Sequence, residues 1–226
     1  MSASGQHASS AREIQIPVDS DAITGDLRIP AGATAIVVFA HGSGSSRHSP
    51  RNRQVAAALE QRGLATLLFD LLTPGEERID LVTRRLRFNI ALLGERLGIV
   101  TEWLLGQPET RELAIGYFGA STGAAAALVA AAQHRDVVRA VVSRGGRPDL
   151  AASALGRVAA PTLLIVGERD EPVIQMNRDA MKEMTAEVRL EIVPGATHLF
   201  EEPGALEEVT RLAGDWFERH LMATAG

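Results

Sequence analysis

Residues 112–132 read ELAIGYFGASTGAAAALVAAA, and this stretch decides the fold. Glu112–Phe118 is a short apolar run with a β-branched residue and two aromatics. Its length suits a buried strand rather than a helix. Gly119-Ala120-Ser121-Thr122-Gly123 follows without a linker, and the small residues Thr122–Ala132 then read as a helix. A chain passing from strand to helix through so tight a turn needs small residues on either side of the serine. The turn lifts the hydroxyl above the sheet edge, where the unpaired N–H groups of the helix N-terminus favour developing negative charge. A Gly-x-Ser-x-Gly pentapeptide can arise by chance in any small-residue turn; the strand before it and the helix after it give it meaning. Ser121 is therefore the candidate nucleophile.

Outward from this unit, short β-branched runs alternate with longer helical segments, the pattern of an α/β protein whose mostly parallel sheet is covered by helices on both faces. Glu13–Val18 and Ala22–Pro30 form an expected antiparallel edge hairpin. Ala35–Ala40 is a buried strand, Arg51–Arg62 a helix closed by Gly63, and Leu64–Phe69 the next strand. Asp70–Glu77 reads as a loop, and Arg78–Leu105 as a long helical stretch broken near Gly94 and Gly98. Strands follow at Val137–Ser143, Thr162–Val166 and Val188–Val193. Helices are expected around Leu150–Val158, at Val173–Met184 and at Leu206–Leu221. Residues 1–12 are expected to be a disordered tail and residues 13–226 a single domain.

Composition narrows the partners. The 226 residues are 46% hydrophobic and 23% charged, ordinary for a globular chain with a sizeable core. A net charge of −5 gives no footprint for nucleic acid or an anionic membrane. With no cysteine, disulfides, thiolate catalysis and zinc–thiolate sites are excluded. No signal peptide or membrane-spanning run is evident, so the expectation is a soluble, cytoplasmic protein without nucleic-acid or membrane partners. The histidines show no metal-ligand spacing, and neither a metal nor a cofactor is expected. Oligomeric state leaves no mark on the sequence.

A serine hydroxyl is a weak nucleophile until a base takes its proton, so Ser121 calls for a histidine and an acid to orient it. Of six histidines, His198 stands in the loop between the last strand and the last helix, at the carboxyl edge of the sheet where open α/β proteins place their sites. The acid is sought in Gly167-Glu168-Arg169-Asp170-Glu171-Pro172, between a strand and a helix. Asp170 is the first choice, Glu171 the second and Asp149 the third; the competing reading of Asp170 is a helix cap.

Four motifs now align: His41-Gly42-Ser43-Gly44, GASTG, GERDEP and PGATH. In that order they resemble the α/β-hydrolase superfamily, and more narrowly the small serine esterases of the dienelactone-hydrolase-like branch, over nearly the whole chain after residue 13. The resemblance implies the α/β-hydrolase fold without a large cap domain, the triad Ser121–His198–Asp170, and an oxyanion hole made by the backbone N–H groups of Ser43 and Thr122. It implies hydrolysis of a carboxylic ester of a small molecule through an acyl-enzyme. Dienelactone hydrolase itself uses a cysteine nucleophile restrained by a glutamate. Here Ser121 and His41 stand at those places, so its substrate does not carry over. His41 reads as structural.

Arg47, Arg144 and Arg147 fall in loops on the site's side of the sheet, and one of them is expected to hold a substrate carboxylate. Arg84, Arg85 and Arg87 read as solvated or salt-bridged. An acyltransferase or thioesterase could use the same triad. A nucleotide-binding module is disfavoured because Gly-Ser-Gly-Ser-Ser-Arg lacks the third glycine of the dinucleotide fingerprint, and a non-catalytic homologue would not need all three triad groups.

Overall fold

The computed structural model describes residues 11–222. Most of the expected tail, residues 1–10, lies outside them, while Arg12 already opens the first strand. The chain runs β1 (Arg12–Val18), β2 (Asp21–Arg28), β3 (Ala35–Ala40), α1 (Pro50–Gln61), β4 (Ala65–Phe69), α2 (Pro74–Thr83) and α3 (Ile90–Gly106). It continues through β5 (Ala114–Ala120), α4 (Thr122–Gln133), β6 (Val138–Arg144), the short α5 (Ala152–Leu155), β7 (Thr162–Gly167), α6 (Glu171–Glu183), β8 (Val188–Val193) and α7 (Ala205–Leu221).

The eight strands form one sheet in the order β1-β2-β4-β3-β5-β6-β7-β8. β3 to β8 run parallel, and the antiparallel β1–β2 hairpin is added at the β4 edge. Strict side-chain alternation divides the interior into two layers. Along β3, Ile36, Val38 and Ala40 join the layer that includes residues of α3 and α4. Ala35, Val37 and Phe39 join the layer of α1 and α7. Both faces of β3 are covered, which is why AIVVFA is apolar throughout.

The expected break in the long helix lies elsewhere. α2 begins at Pro74 with a reciprocal capping box between Thr73 and Glu76, and ends at Arg84 in the left-handed conformation (φ 54°). A 3-10 turn at Leu86–Phe88 leads into α3, which runs straight through Gly94 and Gly98. Those glycines are contacts with α4 rather than breaks. A methyl group at Gly94 would stand 2.8 Å from Val129 Cγ1, and one at Gly98 2.9 Å from His134 Nε2. The two helices can approach closely only because both side chains are missing. No described helix is long and apolar enough to cross a membrane.

Candidate active site

The carboxyl ends of β3, β4, β5, β6, β7 and β8 all open on one side of the sheet, and the sequence-derived candidates gather there. Ser121 links β5 to α4 with φ 51° and ψ −119°, a conformation that a residue with a Cβ rarely adopts. Its neighbours over-determine it. The Ser121 N–H donates to Arg144 O at 3.1 Å, and the Ser121 carbonyl accepts from Ala124 N–H at 3.1 Å and Arg147 N–H at 3.3 Å. The flanking glycines are required by space, not by φ. A Cβ at Gly119 would lie 2.4 Å from Ala124 Cα, and one at Gly123 2.2 Å from Ala40 O.

The loops that carry Asp170 and His198 meet through another close approach. A Cβ at Gly167 would fall 2.4 Å from Ala196 O, so only glycine at the end of β7 lets the loop after β8 settle against it. Hydrogen bonds from Arg169 N–H to Ala196 O (2.9 Å) and from Gly195 N–H to Glu168 Oε2 (2.7 Å) tie the loops together. The result is a bond of 2.6 Å between His198 Nδ1 and Asp170 Oδ2. Asp170 is the N-cap residue of α6, yet its side chain makes no cap hydrogen bond. Glu171 is exposed in the first turn of α6, and Asp149 pairs with Arg147. Of the three acids considered, Asp170 is the one the fold brings to His198. Ser121 and His198 share no side-chain hydrogen bond; among the described residues the His198 ring bonds to Asp170 alone.

Ser43 and Thr122, whose backbone N–H groups are the expected oxyanion donors, both border one cleft with an unfilled volume of about 310 Å³, open solvent included. Thr122 opens α4, where the first N–H groups have no intrahelical acceptor. Gly42 brings the loop against Ser121: a Cβ there would lie 3.3 Å from Ala120 O and 3.4 Å from Ser121 Cβ. His41 anchors this loop. Its Nδ1 bonds to Gly42 O at 3.0 Å while Nε2 accepts the Leu71 N–H at 3.1 Å, a neutral tautomer joining the loops after β3 and β4. Burial holds the His41 pKa below its ordinary value, against the opposing pull of the Gly42 carbonyl and Asp70.

The arginines separate. Arg47 is engaged by Asp70, Asp26 and Glu13 and binds the oxyanion-side loop to β2 and β4. Arg147 forms a two-pronged pair with Asp149. Arg144 is buried, and among the described residues it makes no ion pair. Arg87, expected to be solvated or salt-bridged, pairs with buried Asp80 and lines the cleft beside Gly44; its partner and its place at the cleft have no sequence signal. The pairing crosses the turn between α2 and α3, so periodicity gives no hint of it. Among the described residues no group of three or more His, Asp or Glu side chains could hold a metal.

A doubly covered sheet with a strained serine between strand and helix, and a histidine–carboxylate pair two loops away, defines the α/β-hydrolase class. The chain belongs to the dienelactone hydrolase family, whose model matches residues 23–221. It is similar to the crystal structure of dienelactone hydrolase from Anabaena variabilis, at 60% identity and a TM-score of 0.94 over 95% of this chain and 100% of that one. Est1E from Butyrivibrio proteoclasticus shares the fold at 16% identity and a TM-score of 0.79, over 95% of this chain and 100% of its own. A Mycobacterium tuberculosis protein, provisionally named a phosphoribosyl transferase, is 59% identical over 209 residues. That match takes in 92% of this chain but 46% of the relative, so the chain spans about half its length.

Proposed function

We propose that this protein is a serine hydrolase that cleaves a carboxylic ester of a small molecule through an acyl-enzyme. The observation that carries the reading is the 2.6 Å bond between His198 Nδ1 and Asp170 Oδ2, formed beside a serine held at positive φ. Asp170 accepts a hydrogen bond from the Nδ1–H of His198, which leaves Nε2 as the basic nitrogen. Ser121 Oγ attacks the ester carbonyl carbon and its proton passes to His198 Nε2. The carbonyl oxygen becomes an oxyanion in reach of the Ser43 and Thr122 N–H groups, donors worth roughly 3–4 kcal/mol each in comparable sites. The C–O bond to the alcohol breaks, and the imidazolium returns its proton to the departing oxygen. Water then repeats the sequence on the acyl-serine, with His198 as base, releasing the acid and restoring Ser121.

Water rather than another acceptor is favoured by exposure, since the His198 side chain is 38% accessible. Exposure does not name the alcohol. The transferase named for the mycobacterial relative is assigned, in this reading, to the portion of that protein outside the match.

The test is a short-chain p-nitrophenyl ester assay with rapid mixing. An acyl-enzyme predicts a burst of p-nitrophenol stoichiometric with enzyme whenever deacylation is slower than acylation, and incorporation of the acyl group at Ser121 in quenched samples by mass spectrometry. Turnover with the acyl group found on another residue would refute Ser121 as the nucleophile.

A further inference from the structure

Asn177 is buried in α6, a demanding place for a short amide, which is a poor helix former and whose polar atoms are unfavourable there when unpaired. Its Nδ2 donates twice. One bond goes to Val173 O at 2.8 Å, one turn back along the helix, and the other to Gly146 O at 3.1 Å, in the loop after β6. Two carbonyls around one nitrogen fix the amide, since a flip would set its oxygen against both. The bond within α6 does not need an asparagine, because a serine hydroxyl reaches the same carbonyl. The bond to Gly146 needs the amide's reach.

The loop that receives this bond meets Ser121 and His198 in turn. Arg144 O accepts the Ser121 N–H at 3.1 Å. Gly145, at φ 53° and held by its N–H to Ile165 O at 2.7 Å, sits against His198: a methyl group there would stand 3.3 Å from His198 O and 3.4 Å from Cε1. Gly146 is pressed onto β6 and α4, where a Cβ would fall 1.9 Å from Ser143 Oγ and 2.7 Å from Ala124 Cβ. The Arg147 N–H then donates to Ser121 O at 3.3 Å. Ser121 and His198 thus rest on consecutive residues of one loop, although they share no bond. Asp170 enters through α6, as its N-cap residue. Asn177 follows seven residues later, two turns along the same face. The helix therefore holds His198 at its N-terminus, through the 2.6 Å bond from Asp170, and the loop at its second turn.

We propose that Asn177 is a positioning residue: through Gly146 it sets the depth of the Gly145–Arg147 loop, and with it the distance between Ser121 Oγ and His198 Nε2. This rests on the serine-hydrolase reading. Breaking the Asn177–Gly146 bond leaves Asp170 and His198 joined, because the start of α6 has its own ties, Asp170 N–H to Gly167 O and Ile174 N–H to Asp170 O, both at 3.0 Å. It frees the loop, so the step that slows is proton transfer from Ser121 to His198. A displacement of about 1 Å between reacting groups lowers a rate by up to about 100-fold.

The test compares Asn177→Ser, Asn177→Leu and Asn177→Gln with the wild type. Serine keeps the bond to Val173 O and is too short for Gly146, leucine fills the volume without a donor, and glutamine keeps an amide on a longer arm. The rate of Ser121 labelling by a fluorophosphonate, and kcat for a p-nitrophenyl ester, should fall about 10- to 100-fold in Asn177→Ser and Asn177→Leu. KM should stay within about twofold, as for an effect felt only in the transition state, and Asn177→Gln should recover part of the rate. Two further readouts separate positioning from general loosening. The low-field proton resonance of His198 Nδ1–H, the mark of its bond to Asp170, should persist, whereas amide hydrogen exchange at Gly145 and Arg147 should accelerate. Unchanged labelling and turnover in Asn177→Ser and Asn177→Leu overturn the proposal. So does a rate loss that takes the His198 resonance with it, or one with unaltered exchange at Gly145 and Arg147. A wild type that neither labels nor turns over defeats the serine-hydrolase reading itself, and the positioning role falls with it.

Discussion

At the scale of single residues, the account rests on where two nitrogens and one carboxylate point. Asp170 was one of three acids open in the sequence, because GERDEP offers two candidates in adjacent positions and a helix cap explains either. What distinguishes them is side-chain direction: Asp170 turns from the α6 N-terminus to His198 while Glu171 remains exposed. Asp170→Asn should therefore lower kcat on a p-nitrophenyl ester by on the order of 10³–10⁴-fold, by favouring the wrong imidazole tautomer. Glu171→Gln should change it by less than about threefold, within the small effects expected of an exposed side chain. A larger loss in Glu171→Gln than in Asp170→Asn would reverse the assignment. Arg144 was equally visible in sequence, but only as one of several arginines near the edge; that Arg47 and Arg147 are paired depends on contacts 23 and 2 residues away, only the second of which is local.

At the scale of elements, glycines were legible as residues and misleading as signals. Gly94 and Gly98 suggest a broken helix because glycine is a poor helix former. In the fold they are where α3 meets α4, and the chain instead breaks at Arg84, a residue that carries no such mark. The start of α2 looks like a loop in the sequence although Thr73 and Glu76 form a capping box, since Pro74 and Gly75 between them resemble a turn. At Gly119, Gly123 and Gly167 the requirement is close backbone approach, and two of the three lie in the pentapeptide that signalled the site. Gly123→Ala should cost at least about 1–3 kcal/mol of stability, since its Cβ would meet Ala40 O at 2.2 Å. Gly106→Ala, at the open end of α3 with nothing within 4 Å, should be neutral or slightly stabilising. Urea unfolding midpoints of the two variants check the contrast; equal midpoints would contradict it.

At the scale of the whole molecule, the alternation of strands and helices set the sheet and the side on which the site opens, because burial on both faces leaves near-continuous apolar runs such as AIVVFA. Strand order and the joining of loops were not legible, since they follow from packing across the sheet. One global property follows from a residue in those loops. The folded state holds neutral His41 between Gly42 O and Leu71 N–H, with its pKa below the ordinary 6.5. Below about pH 6.5 the unfolded chain binds a proton that the folded one resists, so this contribution is complete above that pH and is lost as pH falls. His220 is shifted in the same direction, chiefly by burial, and adds to the trend. Guanidinium midpoints at pH 7.5 and pH 5 should fall further in the wild type than in His41→Asn; identical falls would remove His41 as a source.

All of this converges on Ser121, the nucleophile of the proposed reaction. The most direct measurement is labelling with a fluorophosphonate probe, followed by mass spectrometry of the modified peptide, in the wild type and in Ser121→Ala. The account predicts one covalent adduct, on Ser121, and no labelling in the variant, with ester hydrolysis lost in parallel. An adduct on any other residue, or labelling and turnover that survive in Ser121→Ala, would contradict it.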